Sequence, residues 1–217
     1  MIFNRLRSNA LFTSESKRRA VQELSKGSAY DADFKVLLVG AIMIATGAIF
    51  TDNTPVLIAS MIIAPLATPI LALGMGTVQG DGKMIAKALA TLLSSCLMSL
   101  IIAAILTLLL GGNKVANVYV VFTGDRSMSF MIAVVAGCIG SYGLLSTRVA
   151  SAMTGVAIAV SLMPPLVATS VNLVLGNIQV GVNAAILFGL NVLGILLASI
   201  AVFWWFNIGK VHQTSEM

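Results

Sequence analysis

Four prolines set inside two apolar stretches carry the clearest chemical signal in this chain. Pro65 and Pro69 lie in one stretch, Pro164 and Pro165 in the other. A proline brings no amide donor and clashes with the carbonyl four residues back, so each is expected to free backbone carbonyls within its segment. Around them stand the uncharged polar residues Ser60, Thr68, Ser161, Thr169, Ser170 and Asn172. Neutral oxygens of this kind suit a partly dehydrated cation or a small polar solute, and the spacing predicts that these ten residues contact a substrate where the two segments cross. The competing reading is a pair of kinked packing helices whose hydroxyls bond back to their own carbonyls. Kinks at equivalent places in two copies bring the ligand reading level with it.

What is absent narrows the function further. No Asp, Glu, Lys, Arg or His lies deep in an apolar segment, so a carboxylate proton relay has no residues to run on. The single histidine is His212, near the C-terminus. There is no GxxxxGK, HExxH or GxSxG motif, hence no visible site for nucleotide hydrolysis, zinc proteolysis or acyl transfer. The expectation is a non-enzyme with no catalytic residues, no metal ligands and no cofactor. Cys96 and Cys138 both sit in apolar runs, where a thiol acts as a small hydrophobe.

The elements that must hold these residues belong in a bilayer. Of 217 residues 58% are hydrophobic and 10% charged, whereas soluble domains keep about a quarter charged. Residues 88–113, 127–147 and 149–209 contain no charged residue, and each run exceeds the ~20 residues a spanning helix needs. Six segments are expected, near 34–51, 55–75, 88–111, 127–147, 149–175 and 182–208, giving an all-α integral membrane protein. The organisation read from the pattern is a basic leader over 1–33, a membrane repeat over 34–111, an external loop over 112–126, a second repeat over 127–208 and a tail over 209–217.

Seven of the 13 basic residues fall in the first 35 positions, a placement that suits anionic lipid and topology setting and does not indicate a nucleic-acid partner. Within the leader, Ser14 and Glu15 can start a short surface helix and Gly27 can end it. Its apolar stripe Ala20, Val21 and Leu24 is narrow, leaving contact with lipid headgroups and full solvation as equal alternatives. With six spans and both termini in the cytoplasm, eleven Lys and Arg collect inside against two outside, which predicts a multi-pass protein of the plasma (inner) membrane. Four spans with re-entrant second and fifth segments give ten against three. Six spans are favoured because a limb of about ten residues crosses only half the hydrocarbon and must be shielded from lipid.

Residues 54–79 and 154–179 align without a gap at an offset of 100, and nine of the 26 positions are identical, Pro65/Pro165, Gly76/Gly176 and Gln79/Gln179 among them. Three spans per copy make the halves enter from opposite sides, an inverted repeat of the kind recurrent in secondary transporters. Gly76 and Gly176 are expected as left-handed C-caps, and Gln79 and Gln179 as caps on exposed carbonyls or gates at a mouth. Ala133, Gly137 and Ser141 recur every fourth position, allowing a second backbone to approach the fourth helix; packing within the chain is the plain reading and homo-oligomer contact the other.

The blocks TDNTPVLIASMIIAPLATPILALGMG and TGVAIAVSLMPPLVATSVNLVLGN, with the LFGLNVLGILLA that follows, resemble the hallmark blocks of the uncharacterised membrane family termed domain of unknown function 389. The resemblance covers roughly residues 30–207 and implies a multi-pass protein. It implies no activity and transfers no site residues. The sequence therefore points to a channel or transporter for a small ion or polar solute, with the lipid bilayer as partner. The alternative is a non-transporting membrane module that binds a partner or senses lipid through its leader.

Overall fold

The computed structural model describes residues 12–110, 126–146 and 162–209, and all regular structure among them is α-helical. Eight helices follow in order: α1 (Ser14–Gly27), α2 (Ala32–Phe50), α3 (Thr54–Ile63), α4 (Ala67–Gln79), α5 (Gly82–Leu109), α6 (Arg126–Leu145), α7 (Met163–Val174) and α8 (Ile178–Trp205). Four of them, α2, α5, α6 and α8, are long and apolar enough to cross a bilayer, and α3 with α4 makes a fifth such stretch bent by 45°. The all-helical membrane architecture stands. Residues 111–125 and 147–161, including Ser161 and the start of the second repeat block, lie outside the described residues.

Short polar residues start the helices. Asp31 accepts from Phe34 N at 2.9 Å, Asn53 from Val56 N at 3.1 Å and Asp81 from Lys83 N and Met84 N at 3.0 Å, each satisfying an amide that the first turn leaves free. Because Asp81 caps it, α5 begins six residues before the expected position 88 and carries Lys83 and Lys87 on its first turns. Gly80 ends α4 at φ +70° and Gly176 follows α7 at φ +79°, the left-handed region that glycine enters without strain. Gly176 is thus the cap the sequence suggests. Gly76 is not: it stays helical inside α4, pressed on Ile85, and Gly80 takes the cap one turn later.

Contacts along the helices fix their directions. Arg126 donates to Asn183 at 2.8 Å, Gly194 meets Ala133, Gly137 meets Ile195 and Ala198, and the Tyr142 ring lies 6.3 Å from Phe206. Contacts that advance together along both chains mean that α6 and α8 run parallel. On the other side, α4 and α5 form an antiparallel hairpin in which Gly76 faces Ile85. The entry to α2 sits on the first half of α5, where Thr91 Oγ1 donates to Ser28 O at 2.8 Å and Tyr30 OH to Met98 Sδ at 3.2 Å. At the other end of α2, Ile49 packs against the cluster formed by Ala168 and Ala184, the latter near the start of α8. So α2 and α5 point one way and α6 and α8 the other, with α3–α4 leading from the far end of α2 back to the start of α5.

Helix α1 is docked on protein by its narrow stripe. Ala20 and Leu24 are fully buried, and α1 packs on α4 and α6. Lys17 is only 7% exposed, and its Nζ donates to Phe206 O at 2.7 Å, placing a cation on the carbonyl end of α8 where the helix dipole favours it. At the C-terminal end of α1, Lys87 Nζ donates to Ser25 O at 3.0 Å and Gly27 lies against the Thr68 methyl. Replacing Lys17 by Met keeps the buried stem but strands the Phe206 carbonyl at a cost of ~1–3 kcal/mol. The detergent-solubilised variant is expected to melt about 2–12 °C lower, and an unchanged melting temperature would show that the contact contributes nothing.

Candidate functional site

The distribution of polarity is the reverse of a soluble protein. Along α5, Leu89, Leu93, Leu97, Ile101 and Ile105 recur every fourth residue and are exposed, whereas Thr91, Ser95, Ser99, Ala103 and Thr107 recur at the same spacing and are buried. Each set makes one helix face, since positions four apart lie one above another. Leucine and isoleucine face outward because lipid welcomes them; hydroxyls and small groups face inward because only there can they find partners. The other long helices bury Thr46 in α2, Ser141 in α6 and Asn191 and Ser199 in α8.

At the centre lies α7. Every residue from Met163 to Asn172 is buried, and α7 packs on α8, α5, α2 and α3. At twelve residues it is too short to span alone, and enclosure by longer helices is what a short helix in a bilayer requires. The prolines start it. Pro164 and Pro165 occupy its second and third positions, where a helix has surplus amide donors, and Leu166 N bonds Leu162 O at 3.3 Å. They remove donors that a buried helix start would otherwise leave unsatisfied, and the residues that lead into them, 147–161, lie outside the described residues.

Pro65 behaves differently. Helix α3 makes its last bond from Ala64 N to Ser60 O at 3.2 Å, and the carbonyl of Met61, which would next take the amide of residue 65, meets a proline. Ala64 turns extended at φ −64°, ψ 123°, and α4 starts after Leu66 with no side-chain cap. Pro69 is the third residue of α4. The freed carbonyls anticipated in this segment therefore belong to the end of α3, about 15 Å along from its start at 1.5 Å per residue.

The candidate polar residues divide by partner. Ser60 Oγ donates to Leu57 O at 2.6 Å, Thr169 Oγ1 to Pro165 O at 2.7 Å and Asn172 Nδ2 to Ala168 O at 2.9 Å, all bonds back onto the same helix. Ser170 reaches across, its Oγ donating to Leu100 O of α5 at 2.6 Å. Thr68 faces α1. Helix α3 packs on α7, while α4 and α7 each pack on α5 and α8. Gln79 ends α4, but Gln179 stands in the first turn of α8, so the pair occupies unlike positions.

Among the described residues, the buried Ser99 Oγ on α5 and Asn172 Oδ1 on α7 have no hydrogen-bond partner. Asn172 belongs to the sequence-derived set. Ser99 does not, nor do Thr91, Ser95, Thr107, Asn191 and Ser199, although the four-residue recurrence of hydroxyls along α5 was there to be read. The small residues of α6 serve packing within the chain, since a Cβ on Gly137 would stand 2.8 Å from the Ile195 backbone. Among the described residues no group of His, Cys, Asp or Glu is arranged to hold a metal.

Apolar surfaces outside, hydroxyls inside and helices of spanning length define an α-helical integral membrane protein. The chain belongs to the family described as Domain of unknown function (DUF389), whose model matches residues 61–197. It is 30% identical over 189 residues to an uncharacterised protein of Methanocaldococcus jannaschii, an alignment covering 78% of this chain. The chain spans 56% of that relative's length. No solved structure matches it.

Proposed function

We propose that the chain is a six-span transport protein of the plasma (inner) membrane, built as two inverted three-helix repeats, that passes a small ion or polar solute along the polar interior around α7. The observation that carries this reading is the set of helix directions. If α3–α4 were re-entrant, α2 and α5 would be antiparallel; if the segment ending in α7 were re-entrant, α6 and α8 would be. The contact of Thr91 with Ser28 near the starts of both helices supports the first pair as parallel, and the run of contacts from Arg126–Asn183 through Gly137–Ile195 to Tyr142–Phe206 supports the second. Three crossings per half then make the halves antiparallel, and each half carries its broken segment in the middle, the arrangement in which secondary transporters place their sites.

Both termini lie on the cytoplasmic side in this reading, since α1, the start of α5 and the end of α8 gather at one end and carry the basic excess. The spans hold no Asp, Glu, Lys, Arg or His at depth, which favours a channel or facilitator over a proton-coupled pump. No enzymatic role is assigned, because among the described residues no nucleophile, base and orienting group come together.

Topology is testable with one cysteine. Lys83→Cys, in a background lacking Cys96 and Cys138, places a thiol on the exposed first turn of α5 and avoids the left-handed Gly80 beside it. An impermeant thiol reagent applied to intact cells should leave it unmodified and should label it fully in inverted vesicles. Modification from outside would exclude the six-span arrangement. A solute screen on proteoliposomes tests transport itself, and flux no greater than in protein-free vesicles for every solute would rule it out.

A further inference from the structure

Helix α1 belongs to neither half of the bundle and is fastened to both. Its N-terminal end is held by the second half: the Phe12 ring, just ahead of the helix, stands edge-on to Tyr142 of α6 at 5.5 Å and to Phe206 at the end of α8 at 5.0 Å, and Lys17 Nζ donates to Phe206 O at 2.7 Å. Its C-terminal end is held by the first: Lys87 Nζ of α5 donates to Ser25 O at 3.0 Å, Thr91 Oγ1 to Ser28 O at 2.8 Å, and a Cβ on Gly27 would stand 2.8 Å from the Thr68 methyl of α4. Between these anchors Ala20 and Leu24 are fully buried. Helices α4 and α6, one from each half, meet each other only slightly, and α1 packs on both. It lies along the seam between the halves.

What holds α1 there is of a kind that lets go. The contact of α6 with α8 brings Gly137 against the backbone of Ile195, whereas α1 is held by side-chain tips and a narrow apolar stripe. Its other face carries Glu15, Arg18, Arg19, Gln22 and Lys26, all exposed, so water receives the released helix and no span has to leave the bilayer with it. Lifting α1 uncovers the Thr68 side of α4 and removes the element that joins α4 to α6. We propose that α1 is a lid over this seam, exchanging between a seated position and one lifted off α4 and α6. Its consequence rests on the transport reading above: solute passes the cytoplasmic end when the lid is lifted and is stopped when it is seated.

Thr68→Cys, in a background lacking Cys96 and Cys138, places a thiol beneath Gly27, and the full chain in nanodiscs presents both membrane faces to a charged, impermeant maleimide. Modification is expected to be slow in this parent and at least about tenfold faster when Lys17→Met or Phe12→Ala is added, since the rate follows the population of the opened form. Arg18→Ala, on the exposed face, should leave the rate unchanged. Thr46→Cys, fully buried toward the far end of α2, should stay protected throughout. Monodisperse elution reports on folding, and Phe12→Ala carries the test if Lys17→Met does not fold. Equal rates in the parent and both released variants would overturn the proposal, and so would acceleration at Thr46→Cys as well, which would mean that the whole bundle loosens. A second arm locks the lid. A Cβ on Gly27 would lie 3.8 Å from Thr68 Cβ, a spacing that suits a disulfide, so Gly27→Cys with Thr68→Cys should close under oxidant. In proteoliposomes probed with glycerol, urea, potassium and chloride, whichever probe passes should fall at least about tenfold in the oxidised protein and recover with dithiothreitol. Equal flux in the two states would overturn the proposal. Background flux for all four probes in both states would count against the transport reading, and the thiol rates would then decide the lid by themselves.

Discussion

Pro65→Ala is expected to lower solute flux by at least about tenfold while leaving insertion and elution unchanged. The substitution restores an amide at the one position where the Met61 carbonyl would use it, and removes the ring that stops α3 after Ile63. A proline inside a helix disfavours it by ~3 kcal/mol, so its loss biases α3 and α4 toward one continuous rod by that order. Roughly a hundredfold shift follows if the 45° bend and a straight segment are in equilibrium. Pro165→Ala should change flux by less than about twofold, since Pro165 occupies the third position of α7, where a helix has no use for its donor. Repeat symmetry alone would predict equal effects. Full flux in Pro65→Ala would show that the break in α3–α4 is a packing detail.

Gly137→Ala should be among the most destabilising substitutions of a single methyl in the bundle. Its Cβ would stand 2.8 Å from both Cα and the carbonyl oxygen of Ile195 and 2.8 Å from the Ala198 side chain. Backbone cannot swing aside as a side chain can, so α8 would have to move away from α6 along the closest contact between them. Overpacking of this kind costs about 1–3 kcal/mol, or roughly 2–12 °C in melting temperature for a chain of this size. Gly40→Ala and Gly47→Ala in α2 are the controls, because a Cβ at either position meets nothing within 4 Å. Alanine there removes the conformational penalty of glycine and should hold or raise the melting temperature. Equal melting of Gly137→Ala and Gly47→Ala would dismiss close approach as the basis of the α6–α8 pair.

How far the sequence could be read differs between elements for physical reasons. Helix boundaries were accessible where caps and charges punctuate the chain: α2, α6 and α8 begin within about four residues of expectation, whereas α5 extends back to Asp81 because a capped, breaker-free stretch keeps winding beyond the hydrocarbon. The prolines were legible as interruptions but their roles were not. A proline that ends one helix and a proline that starts another look alike in sequence, and only the backbone distinguishes Pro65, after α3, from Pro164 and Pro165, within the first turn of α7. Equally, Gly76 and Gly176 match in the alignment, yet only Gly176 takes the left-handed cap, because α4 winds one turn further before Gly80 stops it.

Composition and periodicity by themselves determined that this chain lives in a membrane as helices, because continuous charge-free runs of that length suit a spanning helix, whereas barrel strands are about ten residues of alternating polarity. They also placed the small face of α6 and the broken segments, since glycine spacing and proline are local chemistry. Only the tertiary structure decided which helices run together, that α1 rests on the bundle with Lys17 on the end of α8, and that Ser99 Oγ and Asn172 Oδ1 have no partner among the described residues. Those outcomes depend on which face of one helix meets which face of another, and in an apolar chain nearly every face is greasy enough to be the buried one.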